Sequence, residues 1–325
     1  MKIYLLISLI LIIVSFFYLK LAIKFKIIDT PNERSSHSKI TVRGGGIIFT
    51  IAILLFFLLK DFKYPYFCLG VMMVSIISFL DDIYTLSSKI RFPFHFLAVF
   101  LILLEVGLPF SPMYVFIFAL IFGIGMINMF NFMDGINGIT GLYSLATLSG
   151  FFLLNINEQI IDSDLLIYSI ISILIFGFYN FRKKALFFAG DIGSVTIGML
   201  VFFVGLYFMF SLGSPLILLL VLVYGADAGN TLLYRKIFTK ESIFDPHRHH
   251  IYQKLVDQTK MSHVQVSLIY AFIQILVNII VLNSYKLAIQ PQIFIFMGFV
   301  FVFMVSYLFL FNILKKVNKI NNNLL

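Results

Sequence analysis

The sequence predicts an all-α polytopic membrane protein with about eleven transmembrane helices. Of its 325 residues, 61% are hydrophobic and only 12% are charged. Apolar runs of about 15 to 20 residues also recur from one end of the chain to the other, as in proteins that cross a membrane many times. These two observations exclude a soluble globular core. We treat residues 1–325 as a single integral membrane domain.

Eleven candidate spans follow one another along the chain. The first is long and lacks a small-residue cleavage site, so we expect it to be retained rather than removed as a signal peptide. Several spans are short, which favours a compact bundle of tilted helices. The predicted spans are 3–23, 44–59, 66–80, 94–108, 112–130, 139–154, 164–181, 193–211, 214–233, 264–283 and 291–313.

The basic residues predict the orientation of this bundle. If the N-terminus lies outside, twenty of the 24 Lys and Arg residues fall on the cytoplasmic side. Because cytoplasmic loops are enriched in Lys and Arg, we expect an outside N-terminus and a cytoplasmic C-terminus. The net charge of +9 is then mainly an orientation signal. The basic segments would also attract anionic membrane lipids, and we expect no nucleic-acid partner.

The polar and charged motifs lie mainly in five segments on the inner side. These are SSHSK (35–39), LDDIYTLSSKIR (80–91), NMFNFMDGING (128–138), FRKKALFFAGDIGS (181–194) and YRKIFTKESIFDPHRHHIYQKL (234–255). The outer connections, such as SLGSP (211–215), are short or plain. The sequence therefore predicts a site that faces the cytoplasm.

Four acids in or near these segments have a structural interpretation, and three of them also have a functional one. Asp81 and Asp82 end an apolar run, where they could cap a helix, but two adjacent like charges also suit a bound Mg²⁺. Asp191 stands directly before another span, as a helix cap or as a ligand for a divalent metal. Asp227 lies within or near the end of a span, where it could pair with Arg235.

Asp134 follows two asparagines at three-residue spacing. Asn128, Asn131 and Asp134 would be neighbours on one helix face. Gly135 and Gly138 then predict that the helix unwinds and exposes backbone amides beside the carboxylate. An acid in a hydrophobic segment is unfavourable without a partner, so a role in the site competes with a packing role.

Two basic segments offer hydrogen-bond donors. In DPHRHH, zinc binding would need a further pair of ligands that the sequence does not show, whereas donors of this kind suit phosphate oxygens; a solvated loop is the alternative. In PNERSSHSKITVRGGG, the donors precede glycines 44–46, which let backbone approach a ligand or let helices pack. With the acids, these segments predict a diphosphate site. The donors of the second segment are Ser35, Ser36, His37, Lys39 and Arg43.

Taken together and in this order, the motifs resemble those of a known superfamily. PNERSSHSK…RGGG, FLDD…LSSKIR, NFMDGINGITG, FFAGDIGS, ADAGNTLLYR and HRHHIYQKL are similar to the motifs of the polyprenyl-phosphate N-acetylhexosamine-1-phosphate transferases. This superfamily includes the initiating enzymes of O-antigen and teichoic acid synthesis and the phospho-MurNAc-pentapeptide translocase. The motifs extend from about Pro31 to Gln253.

The resemblance implies that a UDP-N-acetylhexosamine donates its sugar 1-phosphate to undecaprenyl phosphate and that UMP leaves, with Mg²⁺ as cofactor. This would be the first membrane step of a cell-envelope polysaccharide pathway. A homodimer is left open. The implied catalytic residues are Asp81, Asp82 and Asp134, the implied metal ligand is Asp191, and the implied substrate-binding residues are Lys39, Asn131, Asn137, His247, Arg248, His249 and His250.

One position departs from the family pattern. Many relatives have DGxDG where this chain has DGING, so Asn137 replaces a second acid. An amide can hydrogen-bond a uracil or a sugar, but it cannot act as a base.

Two alternatives remain at this point. A secondary transporter would also have many spans and intramembrane acids, but its sites usually lie near the bilayer midplane rather than at one face. The phospho-MurNAc-pentapeptide translocase is the alternative within the superfamily. The segments PNERSSHSK, RGGG and HRHH are closer to those of the initiating enzymes, which favours a plain N-acetylhexosamine donor, including deoxy sugars.

Overall fold

The computed structural model describes residues 2–31, 40–239 and 248–322. A two-residue antiparallel ladder pairs β1 (Ile28–Asp29) with β2 (Thr41–Val42). The rest of the regular structure is helical. The helices are α1 (Lys2–Lys24), α2 (Ile47–Leu59), α3 (Pro65–Tyr84), α4 (Ser88–Glu105), α5 (Met113–Met133), α6 (Ile139–Glu158), α7 (Ser163–Asn180), α8 (Gly190–Leu212), a 3₁₀ helix (Pro215–Val221), α9 (Leu222–Phe238), α10 (Ile251–Gln258), α11 (His263–Ser284) and α12 (Ile289–Asn322).

Nine segments in the described part of the chain are long and apolar enough to cross a membrane, counting the 3₁₀ helix and α9 as one. The prediction of an all-α polytopic membrane protein is confirmed. The other two of the eleven predicted spans are also helices, namely α2 and α4. With 13 residues, α2 is about 20 Å long, which is less than the ~30 Å of a hydrocarbon core.

The centre of the bundle is α8, whose side chains are buried along almost its whole length. Small residues let α2 approach it, because a Cβ on Gly46 would lie 2.2 Å from the Cα of Gly193. A buried hydroxyl cluster then joins α2, α3 and α8, with Thr50, Ser75 and Thr196 within 2.8–3.0 Å of one another. Such interhelical hydrogen bonds stabilise helix packing where lipid supplies little hydrophobic driving force.

The periphery includes α12, of which only 6% of the spanning window is buried. Near its C-terminal end, however, this helix contributes to a small cluster that covers α10. Ile251 of α10 packs there with Tyr307, Phe311 and Leu314 of α12. The Nζ of Lys254 also lies 4.8 Å from the centre of the Phe311 ring. The short helix α10 is therefore held against the end of the last helix.

The two ends of the bundle differ in their polar groups. At one end, three basic residues pair with acids: Lys60 with Asp164, Lys63 with Asp162 at 2.9 Å, and Lys286 with Glu158 at 2.8 Å. The predicted orientation places these three lysines outside. The segments between α2 and α3, α6 and α7, and α11 and α12 meet here, and the acid-rich motifs lie at the opposite end.

We expect reporters fused to the chain to read this orientation directly. A reporter after Leu325 should give a cytoplasmic signal, and one inserted within 155–163, between α6 and α7, should give an external signal, because of the distribution of Lys and Arg. Paired alkaline phosphatase and green fluorescent protein fusions measure both. The reversed pattern at both positions would contradict a cytoplasmic site.

Candidate active site

Three carboxylates converge where α3 ends and α8 begins, and two arginines link them. Arg43 bonds Asp82 through Nε (2.7 Å to Oδ1) and Asp191 through Nη2 (2.9 Å to Oδ1). Nη1 of Arg91 bonds Asp81 (2.7 Å to Oδ2) and Asp191 (2.8 Å to Oδ2). Asp191 is therefore bound by a guanidinium on each oxygen. We call these five residues the acid–arginine cluster.

The backbone at the start of α8 explains this convergence. Asp82 accepts hydrogen bonds from the N–H groups of Asp191 (2.8 Å) and Ile192 (3.2 Å). A carboxylate at this position satisfies unpaired N–H groups and interacts favourably with the positive end of the helix dipole. Gly190 has φ +73°, and a Cβ there would lie 2.4 Å from Asp82 Oδ2. Only glycine allows the close approach.

The glycines that precede α2 bring Arg43 to the cluster. Gly44 has φ +77°, and a Cβ on it would lie 2.4 Å from the hydroxyl of Tyr18. The N–H of Gly45 donates to the carbonyl of Phe188 at 2.8 Å, just before α8. These contacts show close packing of the protein on itself, which is one of the two uses predicted for these glycines; the approach of backbone to a ligand stays a prediction.

The three acids differ in the solvent exposure of their side chains. The side chain of Asp82 is fully buried and that of Asp81 is 7% exposed, whereas that of Asp191 is 14% exposed. Burial lowers the pKa of Arg43, but the carboxylates of Asp191 and Asp82 outweigh it and raise the pKa overall. Arg43 thus carries a firmly held positive charge beside the most accessible acid.

Magnesium binding at this cluster stays a prediction, and the ion would have to be shared with a substrate. Among the residues that the structure describes, no three His, Cys, Asp or Glu side chains form a set that could hold a metal ion alone. Mg²⁺, however, is usually held by one or two carboxylates together with substrate phosphates. Asp191 offers such a carboxylate, since it is the most accessible acid of the cluster.

Asp134 and Asn131 lie next to this cluster, where α5 ends and the chain unwinds between residues 134 and 138. Asn131 donates to the hydroxyl of Ser194 on α8 at 3.2 Å, which ties the end of α5 to the helix of Asp191. Asp134 accepts a 2.6 Å hydrogen bond from the hydroxyl of Thr140. Burial raises the pKa of Asp134 to about 6, and the Thr140 hydrogen bond acts in the opposite direction.

If the reaction needs ionised Asp134, activity should fall as the pH drops through about 6. Thr140→Val removes the hydrogen bond that favours the carboxylate, so the acidic limb of the pH–rate profile should move to higher pH. Profiles of kcat/KM from pH 5 to 9 measure this shift. Thr147→Val, on the same helix but bonded to the carbonyl of Leu220, is the control. Identical limbs in Thr140→Val and wild type would contradict the role of Asp134.

Asn137 uses its side chain within the protein. It is buried, and its Nδ2 donates to the backbone carbonyls of Arg182 (2.9 Å) and Lys183 (3.3 Å). Its own carbonyl accepts from the hydroxyl of Ser267 at 2.9 Å. In this arrangement Asn137 fastens the 134–138 loop to the segment after α7, because its amide group donates to two backbone carbonyls of that segment.

The basic segment before α10 is only partly described. Lys39 and His247 lie outside the described residues, as do Ser35, Ser36 and His37. Arg248 makes a two-pronged ion pair with Asp257, with Nη2 at 2.7 and 2.9 Å from the two carboxylate oxygens. His249 lies beside the ring of Tyr234, with 6.1 Å between ring centres. His250 is buried, with Nδ1 3.4 Å from Oδ1 of Asp227.

The structure gives Asp227 partners other than Arg235, with which the sequence allowed it to pair. The two residues are eight positions apart on α9, which separates their Cα atoms by about 12 Å. Arg235 is fully buried, so it does not extend to the membrane surface. Asp227 instead accepts hydrogen bonds from α10 and α11, through the N–H of Ile251 and the hydroxyl of Tyr270.

Sequence reasoning missed Arg91 as a site residue. It lies in LSSKIR, ten positions after Asp81, but the two residues lie on different helices, Asp81 near the end of α3 and Arg91 near the start of α4. The several acids at one end of the membrane bundle are the signal that could have indicated Arg91, because buried carboxylates need cationic partners.

The fold and site define a polytopic α-helical membrane protein with carboxylates and arginines gathered at one end. Residues 64–209 match the family described as Glycosyl transferase family 4, and this region contains Asp81, Asp82, Asp134, Asn137 and Asp191. Together with the relatives described next, this match supports the predicted resemblance to the polyprenyl-phosphate N-acetylhexosamine-1-phosphate transferase superfamily.

Three curated relatives cover most of the chain. A probable undecaprenyl-phosphate N-acetylglucosaminyl 1-phosphate transferase of Bacillus subtilis is 26% identical, covering 77% of this chain and 75% of the relative. An undecaprenyl-phosphate alpha-N-acetylglucosaminyl 1-phosphate transferase of Thermotoga maritima is 26% identical, covering 78% and 84%. A phospho-N-acetylmuramoyl-pentapeptide-transferase of Petrotoga mobilis is 27% identical, covering 74% and 82%.

Proposed function

We propose that this protein transfers N-acetylhexosamine 1-phosphate from a UDP-sugar to undecaprenyl phosphate and releases UMP. UDP-GlcNAc or a related sugar, including a deoxy sugar, is the proposed donor, since two of the three relatives are named for N-acetylglucosamine. The observation that carries the proposal is the acid–arginine cluster at one end of a membrane bundle. There a lipid phosphate and a soluble diphosphate could meet.

The chemistry proposed for this cluster is attack of one phosphate on another. Such a reaction depends mainly on positioning and on neutralising charge. Arg43 and Arg91 are about a quarter exposed and can offer guanidinium donors to phosphate oxygens. The lipid phosphate would attack the β-phosphorus of the donor, and the bond between the two phosphates would break to release UMP.

We assign the remaining roles to the three acids according to the exposure of their side chains. Asp82 is fully buried and caps α8, so we assign it the task of holding Arg43 and the start of that helix. Asp81 is slightly exposed and would orient the lipid phosphate or accept its last proton. Asp191 would hold Mg²⁺, and the ion would neutralise the diphosphate when bound.

The proposed location is the cytoplasmic face of a bacterial plasma membrane. The excess of Lys and Arg at the end of the bundle that carries the cluster supports this side. The UDP-sugar would then arrive from the cytoplasm, while the lipid phosphate would arrive within the inner leaflet.

The experiment that tests this function determines which bond of the UDP-sugar donor breaks. Purified protein would receive undecaprenyl phosphate, Mg²⁺ and a panel of UDP-sugars, including UDP-GlcNAc, UDP-GalNAc, UDP-FucNAc and UDP-QuiNAc, with lipid products identified by mass. With the donor that works carrying label in its β-phosphate, the label should enter the lipid fraction and UMP should appear. Label retained in released UDP, with sugar alone on the lipid, would overturn the proposal.

A second candidate is phospho-MurNAc-pentapeptide transfer to the same lipid. The Petrotoga mobilis relative bears that name and is as similar in identity as the others. Adding UDP-MurNAc-pentapeptide to the panel separates the two, because the preferred donor would then carry a peptide.

A further inference from the structure

We propose that Asp227 is a positioning residue that caps α10 from a neighbouring helix and thereby places the segment Arg248–His250 relative to the 134–138 loop. Asp227 lies on α9, within a membrane-spanning segment, and is 4% exposed. A buried acid at such a position is unfavourable unless its partners compensate for the lost hydration. The hydrogen-bond partners of Asp227 indicate its role. The activity measurement described below rests on the proposed function.

The first step is the cap itself. Asp227 accepts from the N–H of Ile251 (3.0 Å to Oδ1) and from the N–H of Tyr252 (3.3 Å to Oδ2). These are the first two residues of α10, whose own N-cap residue, His250, makes no side-chain capping bond. Asp227 thus supplies, from another helix, the acceptor that a short helix needs at its N-terminus. Its negative charge also suits the positive end of the helix dipole.

The second step is the orientation of the carboxylate. The hydroxyl of Tyr270, on α11, donates to Oδ2 of Asp227 at 2.6 Å, and the hydroxyl of Thr231 donates to Oδ1 at 3.2 Å. Nδ1 of His250 lies 3.4 Å from Oδ1. Because both oxygens have partners on different elements, the carboxylate has one orientation, and α10 has one position relative to α9 and α11.

The third step connects α10 to the 134–138 loop. Tyr252 is fully buried, and its hydroxyl donates to the carbonyl of Phe132 at 3.1 Å. A Cβ on Gly135 would lie 2.2 Å from that hydroxyl, so the loop fits closely around the tyrosine. Asp227 therefore fixes α10, and α10 fixes Tyr252 beside Asp134. The positions of Arg248 to His250, just before α10, therefore also depend on Asp227.

The test combines turnover with hydrogen–deuterium exchange of the full-length protein in detergent micelles. Asp227→Asn keeps the shape but replaces one acceptor oxygen by an NH₂ group that faces an N–H donor. We expect kcat/KM to fall by about 100-fold, the scale of a ~1 Å misplacement. Exchange should increase in Ile251–Gln258 while the rest of α9 and α11 stays protected. Unchanged exchange in α10 would overturn the proposal.

Two further variants separate the steps. Tyr252→Phe keeps the cap but removes the bond to Phe132, so kcat/KM should fall without increased exchange in α10. Tyr307→Phe is the matched control, because it removes a hydroxyl that bonds Thr231 rather than Asp227, and both readouts should stay near wild type. A fall in Tyr307→Phe equal to that in Asp227→Asn would show general destabilisation and overturn the proposal.

The outcomes distinguish this inference from the proposed function. If the wild-type protein turns over no UDP-sugar, the proposed function fails, yet the exchange of α10 in Asp227→Asn still tests the anchor. If Asp227→Asn does not fold, Tyr270→Phe removes one of the same hydrogen bonds while it retains the charge. Exchange in α10 should then rise moderately, and no change there would contradict the anchor.

Discussion

Asp191→Asn should abolish turnover and leave the protein folded. The substitution keeps the shape of the side chain but removes the charge that binds Arg43 and Arg91 and that would hold Mg²⁺. We expect kcat to fall by at least about 10³-fold, the upper range for losing one electrostatic group in a catalytic site. Folding should persist because the start of α8 is capped by Asp82 rather than by Asp191.

Asp162→Asn is the matched control for this variant. It is the same chemical change at the opposite end of the bundle, where Asp162 pairs with Lys63, and its turnover should stay near that of wild type. EDTA should inhibit the wild-type protein as strongly as the Asp191 substitution does, and added Mg²⁺ should restore it. Near-normal activity of Asp191→Asn across magnesium concentrations would show that the assignment is wrong.

Asn137→Asp should destabilise the protein, although it restores the acid found in many relatives. The carboxylate would face the carbonyl oxygens of Arg182 and Lys183 and would lose both donors of the amide. An unsatisfied buried polar group costs about 1–3 kcal/mol, and a buried charge costs more, so we expect a loss of about 3 kcal/mol in the free energy of unfolding. Thermal unfolding in detergent measures the change.

Asn128→Asp is the control for the effect of charge alone. Asn128 is half-buried, and its side chain donates to the carbonyl of Ile124, one turn back on the same helix. Its replacement should therefore cost under about 1 kcal/mol. Equal stability of Asn137→Asp and wild type, together with higher activity, would mean that residue 137 meets the substrate and does not fasten the loop.

Asn137 also shows where prediction from the sequence ends. The motif predicted a position near the site, and the structure places it in the loop beside Asp134. The direction of its amide depends on the carbonyls of Arg182 and Lys183, which reach it through the fold and lie 45 and 46 residues away. A single sequence contains no record of such a partner.

The spans were predictable because apolar length and the distribution of basic residues act locally along the chain. The eleven predicted segments are all helical in the structure. The short helix α10 was not predicted, because eight residues with several polar side chains give no span signal. Arg91 was not predicted as a site residue either, because its pairing with Asp81 and Asp191 depends on three helix ends that meet in space.

The last helix has a practical consequence for anyone who shortens this chain. With 34 residues, α12 would be about 51 Å long, which exceeds a ~30 Å hydrocarbon core by several turns. Its final turns carry Phe311 and Leu314, which cover α10. A truncation that removes Phe311 and Leu314 would spare every motif, but it would remove the residues that cover α10 on its outer side. The C-terminal boundary of a shortened variant therefore belongs beyond residue 316, where Lys315 still lies 5.0 Å from the centre of the Phe311 ring.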